Sequence, residues 1–244
     1  MASHFSDIGF VVQDQEDYQQ LLDTALESGQ PTEVPEGYYI LFNDVFGVQL
    51  YIQADPERNI VGVNPHFKGK SSFRVGIRNL IDDPEYPLDG RIRGWANPPE
   101  DDYEAGHFPF VFDTPNYRIV KDKLKEGMIR SFQITAFAHD ITLFADEDAY
   151  EQSQGSQPGM AAESFIPGEV VGDESRISEA FFTGTILMSQ IITNSLSGKD
   201  FVFMQVRTLG GVLDVVADLE LLEEEAAAGG IIQGAFWLSG VLIE

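Results

Sequence analysis

Phe181-Phe-Thr-Gly-Thr-Ile-Leu-Met-Ser-Gln-Ile-Ile-Thr193, the turn Asn194-Ser-Leu-Ser-Gly198 and Asp200-Phe-Val-Phe-Met-Gln-Val-Arg-Thr208 make up the stretch on which the fold turns. Both long runs are rich in β-branched and aromatic residues and are bounded by Asn, Ser and Gly, so each predicts a strand. Leu209-Gly210-Gly211 supplies a tight turn into a third strand, Val212 to Ala217. Leu219 to Ala228, with Leu221, Leu222 and Glu223-Glu-Glu225, predicts a short helix that Gly229-Gly230 stops. Ile231 to Leu238 and Val241 to Ile243 predict two more strands. The alternation of Ile232, Gly234, Phe236 and Leu238 against Gln233, Ala235 and Trp237 suits a strongly bent wall.

Upstream, Arg130 to Phe144 alternates as one long strand. Phe132, Ile134, Ala136 and Ala138 share one face, Gln133, Thr135, Phe137 and His139 the other, and the register changes near Asp140. Asp146 to Gly159 is acidic, then rich in Gln, Ser and Gly, and ends in Pro158-Gly159; it reads as a loop or linker, followed by a second loose stretch from Pro167 to Ser175. Between Ser71 and Ile119 six prolines (Pro84, Pro87, Pro98, Pro99, Pro109 and Pro115) interrupt short apolar pieces, which predicts edge strands and ordered loops. Val120 to Glu126, unusually lysine-rich for this chain, predicts one or two helical turns.

At the N-terminal end, Asp7 to Val12 predicts a strand and Asp14 a helix cap. Tyr18, Leu21, Leu22, Ala25 and Leu26 then form a single helical stripe that ends at Gly29 and Pro31. Tyr38 to Phe42, Val48 to Gln53 and Asn59 to Val63 predict three strands, so this part reads βαβββ. The expected class is α+β, predominantly β. The expected units are a mixed α/β module over 1–130, a long strand and acidic Gly/Ser/Pro linker over 131–175, and a five-stranded barrel-like module over 176–244.

The 244 residues are 43% hydrophobic, enough for a substantial core, and carry a formal charge of -25. Such a charge repels phosphate backbones and anionic lipid surfaces. Between Ser131 and Glu244 there are three basic residues, Arg176, Lys199 and Arg207, against eighteen acidic ones, so nucleic acid is not the expected partner of the barrel-like module. Phe201, Phe203, Phe236 and Trp237 accordingly read as core and subunit contact, not base-stacking platforms. With no cysteine, disulfides, thiolate metal sites and Cys nucleophiles are excluded. Met1 to Phe10 lacks a signal-peptide pattern, and no run reaches the ~18 apolar residues of a spanning helix, so a soluble cytoplasmic protein is expected.

Local motifs are few. Asn64-Pro-His-Phe-Lys-Gly-Lys-Ser71 ends like a phosphate-binding loop but has Asn64 where that motif needs glycine, and a strand follows it, so it reads as a basic surface turn. His4, His66, His107 and His139 share no metal-binding spacing, and the acidic runs lack EF-hand spacing, so no metal and no cofactor are predicted. His139 followed by Asp140 is the first candidate for a titrating catalytic pair.

Three strands, a helix and two strands is the element order of a small barrel of the oligonucleotide/oligosaccharide-binding (OB) type, which the C-terminal third resembles. Thr193-Asn-Ser-Leu-Ser-Gly198, Val206-Arg-Thr-Leu-Gly-Gly211, Asp214-Val-Val-Ala-Asp218 and Gly234-Ala-Phe-Trp-Leu-Ser-Gly240 also resemble a group of uncharacterised bacterial proteins, which implies a bacterial, cytosolic origin and no particular activity. Phe5-Ser-Asp-Ile-Gly-Phe-Val-Val-Gln-Asp14, with the helix and strands after it, resembles the βαβββ module of the vicinal-oxygen-chelate families. There a metal-binding His begins the first strand and a Glu serves as a further ligand; here those places hold Asp7 and Gln49.

These readings lead to a non-catalytic, acidic interaction or scaffold protein that binds a cationic protein or small ligand. One alternative is an enzyme or small-molecule binder with a pocket between modules, lined by Phe108 to Phe112 and by His139 with Asp140. Another is an acidic neutraliser of a basic nuclease. Trp237 and the apolar last strand, if that strand is an exposed edge, predict a homodimer.

Overall fold

The computed structural model describes residues 4–155, 159–171 and 176–243. Pro158 of the expected Pro158-Gly159 turn, residues 172–175 of the expected loose stretch and residues 1–3 of the opening segment lie outside the described residues. Strands hold 49% of the residues and helices 16%, so the class is α+β, predominantly β.

The N-terminal segment departs from the expected strand. Ser6–Ile8 is a 3-10 turn closed by Gly9 at φ 81°. Its carbonyls are taken by side chains of a distant turn: Asn194 Nδ2 donates to Ile8 O at 2.7 Å and Ser197 Oγ to Gly9 O at 2.6 Å. Buried backbone acceptors require partners, and here they find them without a neighbouring strand. Helix α1, Gln15–Ser28, follows as the stripe predicts. Asp14 caps it by accepting from the amides of Glu16 and Asp17, and Leu21, Leu22 and Ala25 are buried.

Four strands then form an antiparallel meander: β1 (Gln30–Val34), β2 (Gly37–Asn43), β3 (Val48–Ala54) and β4 (Ile60–Phe67). Strand β3 is buried along its whole length. Val48, Leu50 and Ile52 pack in a cluster with α1, Phe67 and the outward-facing Phe137, Phe201, Phe203 and Val216 of the second sheet. Gln49, Tyr51 and Gln53 alternate to the opposite face.

The second sheet has nine strands: β5 (Phe73–Asp82), β6 (Gly90–Ala96), β7 (Pro109–Asp113), β8 (Ile129–Phe144), β9 (Ser164–Pro167), β10 (Glu179–Thr193), β11 (Asp200–Thr208), β12 (Gly211–Asp218) and β13 (Ile231–Leu242). Its axis is the antiparallel ribbon β8–β13, paired from Phe132↔Leu242 to Phe144↔Ile231. At one end the ribbon is closed through β12, β11 and β10; at the other, through β5, β6 and β7. Two five-membered rings therefore share two strands, and the sheet draws strands from both sides of residues 130 and 175.

One core runs through both rings. Phe132, Ile134, Ala136 and Ala138 project into it from β8, as the alternation predicts. Phe108, Phe165, Phe182 and Phe236 form a stacked series with centroid separations of 4.3, 5.8 and 4.0 Å, and Phe110, edge-on to Phe108 and Phe165, joins it to Phe73 and Phe112. Each fully buried ring contributes about 2 kcal/mol by removal from water. The register change near Asp140 is a β-bulge: Ala235 pairs with Asp140 and Phe236 with Ala138, leaving His139 as the extra residue. Beyond it Ile141 and Leu143 take over the inward positions.

Several expectations need correction. Ile231 to Ile243 is not two strands, because Ser239 and Gly240 continue the ladder opposite Thr135 and Ile134; the fifth member of the C-terminal ring is β8, supplied from upstream. The helix expected over 219–228 is only a 3-10 turn, Leu219–Leu221, with Leu222 already extended; Leu219, Leu221 and Leu222 all pack against the core, which overrides local helix propensity. The expected linker contains helix α3, Glu147–Ser153, capped by Asp146 and held by buried Tyr150 against Phe144. In the lysine-rich stretch Val120 to Glu126 there is one 3-10 turn, Lys121–Lys123, and it directly follows helix α2, Tyr117–Val120. No described helix is long and apolar enough to cross a membrane.

Candidate functional site

Where the meander meets the outer face of the β8–β13 ribbon, polar side chains meet in place of apolar ones. His66 of β4 is fully buried; its Nδ1 lies 2.9 Å from Ser239 Oγ and its Nε2 2.8 Å from Gln133 Oε1. Gln133 Nε2 donates to Thr135 Oγ1 at 2.9 Å and to Asp214 Oδ2 at 2.8 Å. Asp214, with no exposed surface, also accepts from the backbone N–H and the hydroxyl of Ser71, at 2.9 and 2.6 Å.

The bond directions follow from the ends of this chain. Asp214 accepts from an amide N–H, so Gln133 turns its nitrogen toward Asp214 and its oxygen toward His66. His66 then carries its proton on Nε2 and accepts the Ser239 hydroxyl at Nδ1. Burial pushes the imidazole down to about 4, opposed by the Gln133 bond and the Asp214 charge. Ser239–His66 has the hydrogen-bond direction of a nucleophile and its base. Ser239 has no exposed surface, however, and its hydroxyl is committed to the ring. The chain's role is to satisfy buried polar groups.

On one side of this network lies a cleft of about 270 Å³, lined by Asp83, Asp89, Arg91, Asp113, Thr114 and Trp237. Sheet register brings its centre together: Asp113, the last residue of β7, pairs with Arg91 across the β6 ladder and with Ser239 across β13. Arg91 Nε donates to Asp113 Oδ1 at 2.9 Å, Ser178 Oγ donates to the same oxygen at 3.1 Å, and Trp237 Nε1 donates to Oδ2. Burial pushes the Asp113 carboxyl up, while the indole N–H and the guanidinium pull it down. Asp89 Oδ1 accepts from Gln53 Nε2 at 2.6 Å and from Asn64 Nδ2 at 2.8 Å. Asp83 Oδ2 lies 3.7 Å from Arg91. Two carboxylates thus face the guanidinium, and Asp89 adds a third to the same cleft. The hydroxyl of Thr114, a residue only 2% exposed, has no hydrogen-bond partner.

The residues expected to form a pocket lie elsewhere. His139 packs against His4, whose ring stacks on Trp237 at 4.3 Å, and its buried Nε2 lacks a partner. Burial pushes His139 down and His4 down to about 4. Asp140 is exposed on the far side of the bulge. Phe108, Phe110 and Phe112 belong to the core and not to a pocket wall. Asp7 accepts from the backbone of Asp218 and Gln49 donates to Asn43, so each of these two positions has its own local bond. Among the described residues no group of three or more His, Asp or Glu side chains is placed to hold a metal ion. Strand β13 is paired with β8 along its length and, on its other side, with β10 from Ile231 to Trp237 and with β7 at Ser239, so it offers no free edge along that part.

Gln133 and Thr135 were visible in sequence as the polar face of β8, but their partners His66, Ser239 and Asp214 come from three other strands. The cleft residues carried no local signature at all. Comparison with protein-family models, curated proteins and solved structures finds no match to this chain.

Proposed function

We propose that this is a non-catalytic binding protein whose cleft between β6, β7 and β13 takes a small organic cation, a primary amine or a guanidinium compound. The observation that carries the reading is the lining itself: three carboxylates and one arginine, with Trp237 as an aromatic wall. Asp89 is oriented by two amides that occupy one of its oxygens, which leaves the other for a donor. The partnerless Thr114 hydroxyl supports a ligand with a hydrogen-bonding group beside its charge, because a buried polar atom without a partner costs about 1–3 kcal/mol. The formal charge of -25 would steer cations toward the protein and gives the binding its expected salt dependence. The ring β8–β12–β11–β10–β13 suits an OB-type relationship with one strand supplied from upstream, but its charge favours cations over nucleic acid.

Calorimetric titration with butylamine, butylguanidine and the neutral control butanol tests this reading. The two cations should bind and weaken as salt rises, butanol should not bind, and Asp89→Asn should reduce the cations' affinity about tenfold. Equal binding of butanol and butylamine, or no cation binding at about 10 mM, would overturn it.

A further inference from the structure

We propose that a second cleft, on the other side of the buried network, is an anion site for a small phosphate monoester that carries a free hydroxyl. The cleft measures about 500 Å³, and Lys68, Lys70 and Lys123 line it. The chain has six lysines among 244 residues, so three converging on one cleft run against its overall charge. The neighbouring Lys121 is bound to Asp82 at 2.7 Å, whereas among the described residues no carboxylate lies within ion-pair distance of Lys68 or Lys70.

The Lys68–Ser71 segment is fixed in place. Ser71 is anchored to Asp214 through both its amide and its hydroxyl, and Lys68 N donates to Gly47 O at 2.7 Å. Gly69 lies so close to Asp214 that an added Cβ would come within 2.2 Å of the carboxylate. The backbone that carries the two lysines is therefore pinned, so binding has only their side chains to order. The exposed ammonium groups of Lys68 and Lys70, two positions apart on this backbone, favour a dianion. At an ionic strength of about 0.15 M, charges more than ~8 Å away are largely screened, so the lysines prevail locally over the acidic surface.

The hydroxyl requirement comes from Asn116. Asn116 lines the same cleft, and its Oδ1 is buried and accepts no hydrogen bond. A phosphate dianion has no proton to give it, whereas an alcohol on the same ligand does. Ile119 and Val241 supply apolar wall for the carbon skeleton between the two groups.

The test is an amide chemical-shift titration of the full chain at about 0.15 M ionic strength with glycerol 3-phosphate, inorganic phosphate and glycerol. Glycerol 3-phosphate should shift the Gly69, Lys70 and Asn116 signals and bind about tenfold more tightly than inorganic phosphate, while glycerol alone should not bind. The Lys68→Ala/Lys70→Ala double variant, altered only at exposed positions, should lose at least about tenfold in affinity, and Lys199→Ala should lose none. Asn116→Ala should reduce glycerol 3-phosphate to the affinity of inorganic phosphate. Unchanged affinity in the double variant, or no shifts at these amides at about 10 mM ligand, would overturn the site. Equal affinities for the two phosphates in the unaltered protein would overturn the hydroxyl assignment.

Discussion

The hydroxyl of Ser239 on β13 lies 2.9 Å from Nδ1 of His66 on β4, 173 positions away in the chain, and so ties the ribbon shared by both rings to the last strand of the meander. His66→Ala should destabilise the protein by about 3–5 kcal/mol, because it leaves a ring-sized cavity and strips Gln133 and Ser239 of partners at once. Ser239→Ala should cost only about 1 kcal/mol, since the smaller group leaves one ring nitrogen unpaired. Urea unfolding of the two variants measures the ratio; equal costs would mean the network does not act as a unit.

The same histidine makes stability fall in acid. Its folded pKa is about 4 against an ordinary 6.5, so between those values the unfolded chain takes up a proton that the folded chain refuses. The contribution is complete above about 6.5 and is lost as pH falls toward 4. In His66→Gln the slope of unfolding free energy over this window should be shallower than in the unaltered protein.

Asp7 works with the opposite sign. Desolvation raises its carboxyl from 3.8 to about 8, so the folded chain holds a proton that the unfolded chain releases, and stability falls as pH rises from about 4 to about 8. Its Oδ1 accepts from Asp218 N while Oδ2 is buried without a partner. Asp7→Asn imitates the protonated form and should be more stable than the unaltered protein by about 1–3 kcal/mol at pH 9, with little difference at pH 4. Urea midpoints at the two pH values decide it; a larger gain at pH 4 would refute the assignment.

The indole N–H of Trp237 is the strongest of the interactions that hold Asp113 down against the effect of its burial. In Trp237→Phe the indole donor is gone, and the Asp113 carboxyl should titrate higher than in the unaltered protein, as read from its side-chain carbon resonance. An unmoved titration would show that Arg91 and Ser178 alone set it.

Gly69 has ordinary backbone angles, so its requirement is one of space. Gly69→Ala should cost about 1–3 kcal/mol by forcing its methyl group against Asp214. Gly198→Ala, in open space at φ 69°, should cost about 1 kcal/mol from backbone strain alone. Thermal unfolding compares the two.

The stripe of α1, the β10–β12 meander and the inward row of β8, including a change of register near Asp140, could be read from the sequence because each is a periodicity within one segment. Burial of β8 on both faces was not readable: Gln133 and Thr135 look like a solvated face until β4 is laid over them. Nor was the continuity of β13, since Ser239 and Gly240 resemble a turn until Thr135 and Ile134 are placed opposite. The β8 strand closes a ring whose other members begin dozens of residues later, and both clefts gather their charges from strands with no common local pattern. Local chemistry determined α1 and most of the strands; pairing across long sequence separations, where burial is shared between distant segments, decided the remaining elements and which polar residues would meet.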